Sequence, residues 1–136
     1  MKDKYNVLII DVDAEVLSTL EKRLKQEGYS VETTQSAQDA LEKVKLDKYH
    51  IILTNITMPD MDGIELLREI KKYDPMTQII MMTENSTIDK ILRSLEYGAN
   101  DYIDKPFDSE DFVIDVINYS VQKLERWRAV IVKLIK

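Results

Sequence analysis

Chemistry in this chain of 136 residues has few places to come from. No cysteine is present, which excludes disulfides, thiolate metal sites and a cysteine nucleophile. His50 is the single histidine, so two-histidine metal motifs are excluded and at most one Ser-His-Asp base could exist. Gly28, Gly63 and Gly98 stand 35 residues apart, too far for a Gly-rich phosphate loop. What is left is carboxylates, hydroxyls and a lysine in four clusters: Asp11–Asp13, Thr54–Asp62, Thr83–Glu84 and Asp104–Pro106. Whether the clusters meet depends on the elements that carry them.

Those elements alternate. Short apolar runs at Tyr5–Ile10, Ser30–Thr34, His50–Thr54, Gln78–Thr83 and Asp101–Ile103 read as strands. The first, third and fourth are nearly continuous in apolar residues, as in strands covered on both faces. The Ser30 run alternates, as an edge strand with one wet face does. Between them apolar residues recur at helical spacing: Val16, Leu17, Leu20, Leu24; Ala37, Ala40, Leu41, Val44; Ile64, Leu67, Ile70; Ile88, Ile91, Leu92, Leu95. Ser36 with Asp39, Asp62 with Glu65 and Ser86 with Asp89 read as helix starts, and Gly28 and Gly98 as left-handed helix ends. This (βα)₅ alternation implies an α/β fold, a doubly wound parallel five-stranded sheet. Ligands in such sheets bind beyond the carboxyl ends of the strands, where all four clusters fall.

Composition agrees with one soluble domain: apolar residues make up 44% and charged residues 32%. No apolar run is long enough to span a membrane and no signal-peptide pattern opens the chain, so a cytoplasmic protein is expected. Lys plus Arg number 19 against 25 Asp plus Glu, and the net charge of −6 argues against nucleic-acid binding by this domain.

At the strand ends the sequence resembles the receiver domain of two-component response regulators. The matching pieces are Val7-Leu8-Ile9-Ile10-Asp11-Val12-Asp13, Ile52 through Thr57 running into Met58-Pro59-Asp60-Met61-Asp62-Gly63, Thr83, and Asp101-Tyr102-Ile103-Asp104-Lys105-Pro106-Phe107. The resemblance covers the chain to about residue 122, leaving residues 123–136 as an extension of the last helix. It implies the flavodoxin-like strand order 2-1-3-4-5. It also implies phosphoryl transfer from a histidine kinase to an aspartate ending the third strand, assisted by magnesium. Carried over by position, Asp11 matches the first acidic residue and Val12 falls on the second, a direct metal ligand. Asn55 falls on the phosphoacceptor, and Thr57 on a ligand that acts through its backbone carbonyl. Thr83 matches the switch hydroxyl, Tyr102 the switch aromatic and Lys105 the phosphoryl-contacting lysine.

The departures at Val12 and Asn55 fall on the residues the chemistry needs most. A neutral amide is not a carboxylate nucleophile, so Asn55 cannot form an aspartyl phosphate. With Asp11 and Lys105 roughly cancelling, the charge that recruits a cation is missing, and magnesium binding is expected to be weak or absent. The expectation is a pseudo-receiver, a signalling module and not an enzyme, in which Asp11, Asn55, Thr83 and Lys105 form a neutral, metal-free network. The alternative is a conventional magnesium-dependent receiver carrying an engineered Asn55, which leaves Val12 unexplained. Asp13 reads as the N-cap of the first helix, and Asp60, Asp62 and Asp104 as loop or capping residues. His50 reads as an edge or surface histidine, and Met58, Met61, Met81 and Met82 as packing residues.

From Asp108, read with Asp111 as a cap, a helical pattern runs to the end, about 40 Å if helical throughout. Ile117, Leu124 and Ile131 recur at seven, with Ser120, Trp127 and Leu134 offset by three. Residues 121–136 hold five basic residues against Glu125, a charge of +4, which leaves −10 on the first 120. The tail therefore reads first as a dimerisation segment or signalling linker, with docking on a membrane or acidic partner and packing back on its own domain as the other readings. The expected partners are signalling proteins, a histidine kinase or an output partner, and a second copy through the last helix.

Overall fold

The structure, a computed structural model, describes residues 4–135; Lys136, counted in the basic tail, lies outside them. The elements are β1 (Asn6–Ile10), α1 (Ala14–Gln26), β2 (Ser30–Thr34), α2 (Ala37–Leu46), β3 (Ile51–Asn55), α3 (Gly63–Tyr73), β4 (Gln78–Thr83), α4 (Ile88–Glu96), β5 (Asp101–Asp104) and α5 (Glu110–Leu134). The strands pair in parallel in the order β2-β1-β3-β4-β5. Alternation along β1 sends Val7 and Ile9 to a core layer under α1 and α5, and Leu8 and Ile10 to one under α2 and α3. Being covered on both faces, β1, β3 and β4 need the apolar runs they carry, whereas edge strand β2 leaves Ser30 and Glu32 exposed. The methionines pack as expected, Met82 in the first layer and Met58 and Met81 in the second, with Met61 partly buried against it.

Helix starts follow the side chains that have a free acceptor. Asp13, Ser36 and Asp62 cap α1, α2 and α3 as expected. The caps of α4 and α5 lie one residue later than the sequence suggests. Thr87 accepts from the Lys90 N–H, because the Ser86 hydroxyl is committed to the Asp104 carboxylate, and Ser109 accepts from Phe112. Gly28 and Gly98 adopt φ values of 101° and 94°, the left-handed helix ends that glycine permits.

Two expectations change. The apolar stripe of α4 faces outward, with Ile88 77%, Leu92 58% and Leu95 64% exposed, while Ser94 is the buried residue. Periodicity identifies a helix but does not say what covers its stripe. In α5, Ile117, Ser120 and Leu124 belong to the domain interior, whereas every described residue from Glu125 onward is exposed.

His50 does not lie at a sheet edge, and it is only partly exposed. It precedes β3, the central strand, half-buried with its ring edge-on to Tyr5, and its Nδ1 accepts from the Asn6 N–H at 3.0 Å. That bond requires an unprotonated Nδ1. Burial, then the nearby Lys48 and Arg128 charges, lower its pKa from the ordinary 6.5, outweighing Asp74. The unfolded chain thus binds the proton more readily, so stability is full above 6.5 and is lost as pH falls below it. Urea midpoints at pH 7.5 and 5.5 are expected to differ less for His50→Asn, whose amide oxygen can accept the same bond, than for the parent.

Candidate functional site

The four clusters meet at the carboxyl end of the sheet. Asp11 follows β1, Asn55 ends β3, Thr83 ends β4 and Lys105 follows β5. The Lys105 N–H donates to the Thr83 carbonyl at 2.8 Å, which fixes the start of its side chain beside β4. Its ammonium then reaches inward, donating to Asp11 Oδ2 and, at 3.2 Å, to Asn55 Oδ1. The other Asp11 oxygen accepts from the Asp13 N–H at 3.1 Å. Both members of the ion pair are buried, the Lys105 side chain 7% and the Asp11 side chain 1% exposed.

Asn55 completes the arrangement as a two-sided connector. Its Nδ2 donates to the Thr57 carbonyl at 2.8 Å while its Oδ1 receives Lys105. The amide orientation follows from its neighbours, since an ammonium only donates and a carbonyl only accepts. An ionised aspartate could take the lysine but would set a second acceptor against the Thr57 carbonyl. One carboxylate, one ammonium and one amide leave this pocket close to neutral.

The remaining candidates are placed differently. Val12 is 45% exposed and contributes its carbonyl to Gln35 Nε2. The Asp13 carboxylate caps α1 through the Glu15 and Val16 N–H groups, and the Thr57 side chain is exposed. Thr83 is buried, but its hydroxyl accepts from the Asn85 N–H at 3.2 Å. The expected four-membered network is therefore three side chains, with Thr83 entering through its backbone carbonyl. Tyr102 is half-buried and donates its hydroxyl to Ser86 Oγ at 3.3 Å, and Ser86 in turn donates to Asp104.

Two supports were not legible as such in the sequence. Gly63 opens α3 so close to the end of β3 that a Cβ there would press into the Asn55 carbonyl oxygen and lie 2.8 Å from Ile56 Cα. Its N–H donates to the Ile56 carbonyl at 2.7 Å, so glycine is required here for close approach. Asp60 anchors the same loop to a different helix, accepting from the Gln38 N–H, the Ser36 hydroxyl and the Ala37 N–H at the start of α2. These bonds hold its carboxyl at about 2, below the usual carboxylate range.

The donor set does not fit magnesium. The buried Asp11 carboxylate is shared between an ammonium and an N–H, Val12 offers no side-chain oxygen, and the Asn55 oxygen is turned to Lys105. Among the described residues no three His, Asp or Glu side chains gather as a cation site. Nor is any described helix long and apolar enough to cross a membrane.

Comparison with known proteins follows the same outline. Residues 7–117 match the family model of the response regulator receiver domain. The chain is 35% identical over 108 residues to the DNA-binding transcriptional regulator NtrC of Proteus hauseri, covering 79% of this chain and 23% of that protein. It is 31% identical over 111 residues to the transcriptional regulatory protein YkoG of Bacillus subtilis, covering 82% and 49%. It thus spans less than half the length of either relative. Among solved structures, a CheY-like receiver domain protein from Methanospirillum hungatei JF-1 superposes with a TM-score of 0.87 at 31% identity, covering 90% of this chain and 97% of that one.

Proposed function

The chain belongs to the response regulator receiver domain family, and within it we propose a module that signals by protein–protein contact without being phosphorylated. The observation that carries this reading is the Asn55 amide, held between the Lys105 ammonium and the Thr57 carbonyl. Asn55 stands at the strand end where the family carries its phosphoacceptor, and an amide nitrogen has no free lone pair with which to attack phosphorus. The same amide supplies a hydrogen bond that a carboxylate lacks. In this reading the lysine, the buried aspartate and the amide set one conformation permanently, where a conventional receiver chooses between two. The loop and helices that follow β4 and β5 are then displayed to a partner in a fixed state, with Tyr102 held over Ser86 and Asp104. Partners are a histidine kinase or an output protein, and the transcriptional regulators to which the chain is similar suggest an output that acts on transcription. Val12 supports natural loss over a single substitution at Asn55, since it removes a second metal-ligating acid.

Incubation with radiolabelled acetyl phosphate and magnesium tests the proposal. No acid-stable or acyl-phosphate label is expected on this chain under conditions that label a conventional receiver. Stoichiometric labelling would overturn it.

A further inference from the structure

Helix α4 turns its apolar side chains away from the body, and the one residue it buries is polar. Ser94 is 1% exposed and its hydroxyl makes no hydrogen bond. A serine inside a helix can return its hydroxyl to the carbonyl four residues back, and a buried hydroxyl left without any partner is costly. Ser94 lines a cavity of about 220 Å³ between α4 and β5, whose walls are Ile91, Leu95, Ala99 and Tyr102. The other polar side chains that line it are engaged. Asn100 Oδ1 accepts from the Ile79 N–H at 2.8 Å, and Asp101 Oδ1 accepts from the Tyr102 N–H at 2.9 Å. A well-held water needs two to four polar partners, which apolar walls around a single free hydroxyl do not provide. What fastens α4 lies elsewhere. The Lys90 ammonium donates to the Asn85 carbonyl at 2.7 Å, and the Arg68 guanidinium lies 5.3 Å from the Tyr97 ring centre.

We infer that this cavity is a binding site for a small uncharged molecule with an apolar body and one hydroxyl, which it places on Ser94 Oγ. Size sets the body. An apolar cavity of about 150 Å³ holds benzene, so this one admits a single six-membered ring with a substituent. Chemistry sets the polar group. The serine hydroxyl donates and accepts but carries no charge, so a neutral hydroxyl satisfies it, whereas an ionised group would give up its water to a hydroxyl alone. Depth sets the kind of ligand. Ile91 and Leu95 are 37% and 64% exposed while Ser94 between them is 1% exposed, so the anchoring group is reached by a molecule that enters whole, not by a flat protein face. An occupant would give α4 the apolar contact that its outward stripe does not make. It would also hold the Tyr102 ring, whose hydroxyl reaches Ser86, and so fix the surface that α4 and β5 display. Asp11, Asn55 and Lys105 do not line this cavity, so the inference survives if the reading of the phosphoryl site fails.

Titration of the isotope-labelled full chain with phenol and, separately, with benzene tests it, read by amide NMR spectra. Both probes are expected to shift the amides of residues 91–102 saturably, with dissociation constants in the millimolar range that ligands of this size reach. Phenol is expected to bind about fivefold more tightly than benzene, the worth of one neutral hydrogen bond. Ser94→Ala removes the hydroxyl and is expected to bind the two probes equally, with the spectral dispersion of a folded chain retained. Ser94→Leu fills the cavity and is expected to bind neither. Shifts that fail to saturate by about 20 mM, well above that millimolar range, would overturn the inference. So would saturable shifts confined to other elements, tighter binding of benzene, or a preference for phenol that Ser94→Ala leaves unchanged.

Discussion

Lys105→Met is expected to lower the free energy of unfolding by about 3–5 kcal/mol, the range for removing one member of a buried ion pair. The cost arises from what stays behind. Asp11 is 1% exposed and keeps only the Asp13 N–H as a partner once the ammonium is gone. Asn55 loses the donor to its oxygen, while Met fills roughly the volume of the lysine stem, so packing changes little. The second arm separates the ion pair from general damage. Asp11→Asn added to Lys105→Met removes the stranded charge, and the double variant is expected to recover much of the loss, giving a large coupling energy in a double-mutant cycle. Urea denaturation of the four proteins measures it. Additive losses would show that Asp11 and Lys105 do not act as a pair.

How much of this was legible beforehand depends on the range of the interactions. The strands of the central sheet were readable because burial on both faces leaves a continuous apolar run, as in Ile51-Ile52-Leu53. Asp13, Ser36 and Asp62 were readable as caps because each bonds within three residues of itself. Long-range partners were not. Asp60 has the sequence context of a loop acid, and only the fold brings it to the start of α2. Ser86 has that of a cap, but Asp104, 18 residues away in sequence, takes its hydroxyl. The stripe of α4 is readable as helical but not as outward-facing, because periodicity carries no information about which side the sheet is on. At the site, family resemblance lined up Asp11, Asn55 and Lys105. The bond from Asn55 to the Thr57 carbonyl, which explains what an amide does there, exists only once the loop after β3 has folded back over the strand end.

Restoring the lost acids should separate the two departures. Asn55→Asp alone sets a second carboxylate on Lys105 beside Asp11 and faces the Thr57 carbonyl with no donor, so it is expected to destabilise the chain by about 1–3 kcal/mol. Like charges at that distance also favour protonation of one carboxyl, which lowers its nucleophilicity. Adding Val12→Asp raises the set to three carboxylates and one ammonium, a formal charge of −2, and makes cation binding favourable. The double variant is therefore expected to gain stability with magnesium, about 2.7 kcal/mol when the ion is at a hundred times its dissociation constant, while the parent stays flat. With acetyl phosphate present, the carboxylate oxygen that Asn55→Asp introduces into the double variant would attack phosphorus and acetate would leave, so one acyl phosphate forms per chain. Thermal denaturation across a magnesium series and radiolabel incorporation read the two effects separately. Full labelling by Asn55→Asp alone would show that Val12 is innocent and that the lost phosphoacceptor is the whole difference. Magnesium stabilisation of the unaltered chain would contradict the neutral pocket itself, since the ion would then be binding where Lys105 already holds Asp11.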